Sequence, residues 1–322
     1  MKSYWILERG SESVLEAREV PMPQPKAGEV VVEVHAAGLN RGELIVGGAV
    51  HGGAEKLGGT EASGVIHAVG PGVTAWKVGD RVMGRARGTF AQYSAMFEGQ
   101  IMRMPERLSW EEAAAIPSGF LTAYEATVRY GGLESGEWLL VAGASSGVGV
   151  CAIQIARVLG ARSIGTTTSP DKGEKLKAIG CDLVVDSRSP DFARSVKQAT
   201  TGGADLGVNL VGGSVFPQLL RSMAYEGRIA IVGYVDREYL SQIDLADVHL
   251  NRIHVFGISN AKLPPEKRFE TTRGFVRDIL PALEDGRISP VVDRVFAFDE
   301  LPAAKAYMES NAMVGKVVVK VA

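Results

Sequence analysis

The stretch Val141-Ala-Gly-Ala-Ser-Ser-Gly-Val-Gly149 decides the fold of this chain. It ends the apolar run Trp138 to Ala144, which reads as a strand, and opens a helical pattern from Val148 to Leu159. In that pattern Val148, Cys151, Ala152, Ile155 and Leu159 return on one face. A strand, a turn of small residues and a helix start together make a seat for a dinucleotide pyrophosphate. Small residues let the backbone come close, and the helix N-terminus offers N–H groups and partial positive charge. Counting back from Gly149, Ala144 and Ser146 stand at the first two glycine positions of a strict G-x-G-x-x-G. The strand–turn–helix context that the motif requires is nevertheless present. It assigns dinucleotide contacts to Ala144, Ser145, Ser146, Gly147 and Val148.

Downstream, strands and helices alternate. Strand patterns at Arg162–Thr167, Leu183–Asp186, Asp205–Leu210, Arg228–Val232 and His254–Ile258 are separated by helical ones at Asp171–Ile179, Asp191–Thr200 and Ser214–Ala224. This predicts a doubly wound α/β domain with a parallel sheet. An NAD site usually ends its second strand with an acid for the ribose 2′-OH. Here the segment is Gly165-Thr-Thr-Thr-Ser-Pro-Asp-Lys172. The hydroxyls of Thr167, Thr168 and Ser169, with Lys172 and the nearby Arg188, suit a 2′-phosphate and predict NADP(H). Taken alone, the two cations would read as solvated charges. Gly233 and Tyr234 after the fifth strand, Asn260 after the sixth, and Tyr124 near the domain junction are expected on the nicotinamide side.

Residues 1 to 122 read differently. Short β-branched runs such as Glu29–His35 and Ala62–Val69 alternate with Gly/Pro punctuation, which predicts a β-rich barrel or sandwich. Asp80–Met83 and Phe90–Met96 are further strand candidates. Beyond Ala261 a helix over Pro265–Asp285, a strand at Val295–Phe298, a helix at Leu301–Glu309 and a strand at Lys316–Val321 are expected. That tail is too short for a domain of its own. The predicted division is 1–122 with 262–322, around 123–261.

Composition narrows the function. Lys plus Arg number 35 and Asp plus Glu 37, a net charge of −2. This gives no electrostatic case for nucleic acid or a membrane surface. No leader and no apolar run of about 18 residues is read. Two cysteines in 322 residues fit a reducing cytoplasm and cannot build a four-thiolate zinc site. The 39 glycines exceed the roughly 7% of ordinary proteins.

The motifs Gly38-Leu-Asn40, Gly59-Thr-Glu-Ala-Ser-Gly64, Val78-Gly-Asp-Arg-Val82, Ala113-Ala-Ala-Ile-Pro-Ser-Gly-Phe-Leu-Thr-Ala-Tyr124 and Gly315-Lys316 accompany the dinucleotide turn. With them the chain resembles the medium-chain dehydrogenase/reductase superfamily, and within it the zinc-independent quinone oxidoreductase branch. The resemblance implies a GroES-like β domain, a Rossmann domain and a homodimer. In zinc-dependent relatives a Cys stands where Asn40 does, and a Gly-His-Glu motif corresponds to Gly59-Thr60-Glu61. No metal is therefore expected. Cys151 and Cys181 both fall in the nucleotide domain and read as packing residues.

Without a metal to stabilise an alkoxide, a conjugated acceptor is the easier hydride acceptor. The resemblance accordingly implies NADPH-dependent reduction of quinones or α,β-unsaturated carbonyls, small molecules. Asn40 and Thr60 are expected at the reacting end, with Glu61 as an anchoring carboxylate. His51 lies in Gly47–Gly59, where six of 13 residues are Gly, and is a candidate proton donor. An exposed loop histidine without a role is the competing reading. Open alternatives are a non-catalytic NADPH-binding sensory or structural protein, a zinc-free alcohol dehydrogenase and an enoyl-thioester reductase.

Overall fold

The computed structural model of the protein describes residues 1–10, 12–44, 55–260 and 262–322. The chain divides into two units, Met1–Leu121 with Ala261–Ala322, and Thr122–Asn260.

In the first unit, strands β1 (Lys2–Arg9) and β2 (Glu12–Glu19) pair antiparallel. The spine of the unit is β3 (Glu29–Gly38). Its Val30, Val31, Val32 and Val34 are buried, as a β-branched run between two packed faces should be. The short β4 (Glu55–Leu57) pairs with β1. Along β3 run β5 (Glu61–Val69), β7 (Tyr93–Phe97) and, from the end of the chain, β16 (Lys316–Lys320). β6 (Arg81–Arg85) continues from β5, β8 (Ile101–Arg103) from β6, and β15 (Val292–Ala297) pairs parallel with β16. Phe90, read from sequence as the start of a strand, lies ahead of β7 and instead bonds to the β1–β4 side of the unit. Tyr4 N donates to its carbonyl at 2.8 Å and its own N–H reaches Gly58 O at 3.0 Å. The expected helix over Pro265–Asp285 is two helices, Pro265–Asp278 and Leu280–Glu284. Pro281 lies at the break, because proline lacks an N–H and its ring clashes with the preceding turn.

The second unit carries β9 (Trp138–Ala142), β10 (Arg162–Thr167), β11 (Leu183–Asp186), β12 (Ala204–Asn209), β13 (Met223–Ile231) and β14 (His254–Gly257). All pairs are parallel, in the order β11-β10-β9-β12-β13-β14. This is the doubly wound sheet, with its reversal of strand order between β9 and β12. Helix Gly147–Leu159 follows β9. Its residues from Gly149 to Ala156 are all buried, so it is a core helix rather than the one-faced helix its periodicity predicts. The helix expected to reach Ala224 stops at Arg221, because Met223 pairs with Ala204 in the parallel ladder. Among the described residues no helix is long and apolar enough to cross a membrane.

Candidate functional site

On the second unit, the turn between β9 and helix Gly147–Leu159 is drawn tight by Ser146. Its hydroxyl donates to Gly143 O at 2.8 Å and accepts from Gly149 N at 3.2 Å, as an N-cap. The first i→i−4 bond of the helix is Val150 N to Ser146 O, 3.0 Å. The amides of Gly147 and Val148 precede it and so lie among the helix's opening donors. Gly149 has no room for a side chain: a Cβ there would lie 2.5 Å from Ala144 O and 2.7 Å from Gly143 O. Ala144 is itself limited in size, since it lies against Gly165 of β10. The turn therefore holds bare backbone at a helix N-terminus, which fits a dinucleotide pyrophosphate.

At the end of β10, Thr166 accepts from Gly143 N at 3.2 Å and ties the strand to the turn. Thr168 and Ser169 follow, and Ser169 caps helix Pro170–Ala178 by accepting from Lys172 N. The Arg188 guanidinium donates to Thr168 O at 2.9 Å, so it sits at the same strand end. Asp186, in register with Thr167, brings a carboxylate beside it, and Arg188 lies 3.6 Å from that carboxylate. Gly233 N donates to Asn209 O at 3.2 Å, and Tyr234 is exposed and packs on Tyr239 with ring centroids 5.1 Å apart. Asn260 Nδ2 reaches Thr122 Oγ1 at 3.4 Å. Tyr124 is buried.

A second constellation lies in the first unit. β16 pairs with β3 so that Val318 faces Gly38. Two residues further along each antiparallel strand, Lys316 comes opposite Asn40. The Lys316 ammonium donates to Glu61 Oε1 at 2.6 Å, Asn40 Oδ1 at 2.7 Å and Leu39 O at 2.8 Å. Asn40 Nδ2 donates to Glu61 Oε1 at 2.8 Å and Thr60 Oγ1 at 3.2 Å. Ser118 N donates to Glu61 Oε2 at 2.7 Å. Glu61 is thus the anchoring carboxylate expected, fully buried with a charge partner. Gly38 makes space for it: a Cβ there would meet Glu61 Oε1 at 2.6 Å and Ala114 O at 2.7 Å.

Glu43 completes the cluster. It accepts from Asn40 N at 2.8 Å and from the Thr60 hydroxyl at 2.5 Å. Burial raises its pKa to about 7, although the Thr60 and Asn40 hydrogen bonds and the Lys316 charge pull the other way. Thr60 and Asn40 are partly exposed, whereas Glu43, Glu61 and Lys316 are buried. The cluster therefore has a closed end and an open one.

Sequence reasoning named Asn40 and Thr60 but gave Glu43 and Lys316 no role in the site. Glu43 had a local signal. Asn40-x-x-Glu43 is the pattern in which a side chain three residues on reaches back to an N-cap N–H. Lys316 stood in the motif Gly315-Lys316, but nothing tied it to the site, because 276 residues separate it from Asn40. Asn209 was also missed. Its side chain accepts from Val211 N and Gly212 N, each at 3.0 Å, and shapes the loop after β12. His51 lies outside the described residues.

This donor set does not fit zinc. Asn40 and Thr60 offer an amide and a hydroxyl rather than a thiolate or an imidazole, and the Lys316 ammonium is already paired with Glu61. Among the described residues no group of three or more His, Cys, Asp or Glu is arranged to hold a metal.

Comparison with known proteins matches residues 26–106 to the alcohol dehydrogenase GroES-like domain and residues 147–276 to the zinc-binding dehydrogenase model. The spectinabilin polyketide synthase system protein NorB of Streptomyces orinoci is 34% identical over 92% of this chain. The chain spans only 14% of that relative's length. The structure of an NAD-dependent alcohol dehydrogenase is 32% identical, with TM-score 0.87 and 100% coverage of both chains. The quinone oxidoreductase from Thermus thermophilus, solved also with NADPH, is 29% identical with TM-score 0.83 and 100% coverage of both.

Proposed function

Because this chain belongs to the medium-chain dehydrogenase/reductase superfamily, a family of oxidoreductases, we propose that it is an NADP(H)-dependent, zinc-independent reductase of small quinones or α,β-unsaturated carbonyl compounds. The observation that carries this reading is the lysine-filled, metal-unfit polar cluster of Asn40, Thr60, Glu61 and Lys316 in a chain that also holds a dinucleotide turn. Bound NADPH supplies the hydride. The chain's residues bind, orient and move the proton. The amides of Gly147 and Val148 receive the pyrophosphate, with Ser145 and Ser146 lining the turn. Thr167, Thr168, Ser169, Lys172 and Arg188 take the 2′-phosphate. Gly233, Tyr234, Asn260 and Tyr124 belong to the nicotinamide side.

A quinone or enone suits such a site. Hydride adds to a carbon or to the conjugated ring system, and negative charge spreads to an oxygen that a hydroxyl or amide donor can stabilise. A plain ketone would place more charge on one oxygen and ask for a stronger electrophile. The likeness to a polyketide synthase protein keeps enoyl thioesters among the acceptors to be tried. A homodimer paired through the outer edge of β14 is part of the same reading.

The test is a steady-state screen of quinones, enones and enoyl thioesters with NADPH and NADH. We expect NADPH oxidation with a quinone or enone. Tight NADPH binding without turnover of any acceptor would point instead to a non-catalytic binding protein. Lys172→Ala should weaken NADPH more than NADH, and equal weakening of both would refute the 2′-phosphate role.

A further inference from the structure

One member of the first unit's polar cluster keeps bonding capacity that the others do not fill. The Lys316 ammonium has three N–H groups and three acceptors, Leu39 O, Asn40 Oδ1 and Glu61 Oε1. Both N–H groups of the Asn40 amide are engaged, one by Glu61 and one by Thr60. Because Asn40 Oδ1 faces the ammonium, the amide has a single orientation. The Thr60 hydroxyl, with one donor and two acceptor sites, is partly exposed and lies 2.5 Å from Glu43 Oε2.

That contact admits two hydrogen arrangements. With Glu43 ionised, the Thr60 O–H points inward at the carboxylate. With Glu43 protonated, the carboxyl donates to Thr60 Oγ1 and Asn40 Nδ2 fills the second acceptor site. Among the described residues this leaves the Thr60 O–H free to turn outward, toward the open end of the cluster. The protonation state of a buried carboxyl thus sets whether a partly exposed hydroxyl offers a proton.

We propose that Thr60 and Glu43 form a two-member proton relay, in which the Thr60 hydroxyl protonates the oxyanion left by hydride addition and Glu43 returns a proton to Thr60. The relay rests on the reductase reading above. The dinucleotide's hydride reduces the acceptor. The Thr60 O–H bond breaks as the product O–H bond forms. The Glu43 O–H bond breaks as the Thr60 O–H bond is restored. The resulting Glu43 carboxylate regains its proton from water between turnovers. Thr60 touches the acceptor and Glu43 acts through it, while Asn40 and Lys316 fix the geometry.

Among the described residues the charges facing Glu43 are Lys316, which favours its ionised form, and Glu61, which opposes it. Lys56 of β4 also feels Glu43. Burial lowers the Lys56 pKa, the charge of Glu43 raises it, and Arg87 adds to the lowering. With Glu43 near 7, the relay is loaded at lower pH and empties as pH rises through neutrality.

The experiment measures kcat against pH for the full chain with NADPH and an accepted quinone or enone. Wild type should hold its rate below about pH 7 and lose it above. Glu43→Gln should abolish that limb and lower kcat. Thr60→Val should lower kcat roughly a hundredfold, and Thr60→Ser should restore most of it. Infrared difference titration of the protein without substrate or cofactor should show a carboxyl band, absent in Glu43→Gln, with its midpoint near neutrality. If Glu43→Gln does not fold, the Val/Ser pair at Thr60 carries the test. An unchanged limb in Glu43→Gln overturns the relay, as does a limb removed by His51→Ala alone, or a Thr60→Val rate equal to wild type. So does a Glu43 carboxyl ionised throughout pH 5 to 8. A wild type that turns over no acceptor removes the reductase reading itself. A working wild type with an unaltered Glu43→Gln profile removes only the relay.

Discussion

Lys316 illustrates how one side chain holds a site together. Its ammonium and the Glu61 carboxylate are both almost wholly withdrawn from water. A buried pair of this kind is not in itself a large source of stability, but removing one partner strands the other charge. Lys316→Met should therefore destabilise the protein by about 3–5 kcal/mol, read from the midpoint of denaturant unfolding. Adding Glu61→Gln to it should recover part of the loss. A Lys316→Met change below about 1 kcal/mol, in the range of an exposed pair, would mean that Glu61 finds another partner. The residue scale was only partly legible in sequence. Asn40 and Thr60 were visible because they stand in the motifs Gly38-Leu-Asn40 and Gly59-Thr60-Glu61 that carry the resemblance. Lys316 was visible only as part of the motif Gly315-Lys316, because no local spacing connects it to Asn40. Glu43 falls between, since its capping pattern was local but its burial was not.

At the scale of elements, the turn from β9 into helix Gly147–Leu159 was the most legible feature, because its constraints are local. A tight turn needs small residues, and a helix N-terminus needs a cap. Both demands fall on consecutive positions that a sequence displays directly. The close approach at Gly149 gives a sharp expectation. Gly149→Ala would press its Cβ onto the carbonyls of Ala144 and Gly143, at a cost of about 1–3 kcal/mol for overpacking. NADPH affinity measured by titration calorimetry should fall by about tenfold or more, while the domain stays folded. Unchanged affinity would show that the turn yields without moving its amides. Element ends were less legible. The helix read through to Ala224 loses its last residues because Met223 joins a ladder with β12, and no residue near Met223 announces that partner.

At the scale of the whole molecule, the two units differ in how their chain is assembled. The unit Thr122–Asn260 is continuous, whereas the other takes its last strands from residues beyond Ala261. β14 ends the six-stranded order and carries the exposed Val255, with Leu245 and Leu250 exposed on the preceding helix. A sheet edge with exposed apolar side chains is a template for pairing with another chain. On the homodimer reading, sedimentation should give twice the chain mass, and Val255→Lys should shift the equilibrium toward monomer. A wild-type monomer at micromolar concentration would refute it. The doubly wound sheet, the dinucleotide turn and the lack of zinc ligands at Asn40 and Thr60 could all be read from the amino acids alone, because each is written in neighbouring residues or in strand–helix period. What surrounds Asn40 and Thr60 could be read only from the folded chain. The register of β16 on β3 brings Lys316 to Asn40 and Glu61, and the burial that follows sets the protonation of Glu43. Burial and strand register depend on residues far apart in the chain, and no local pattern encodes them.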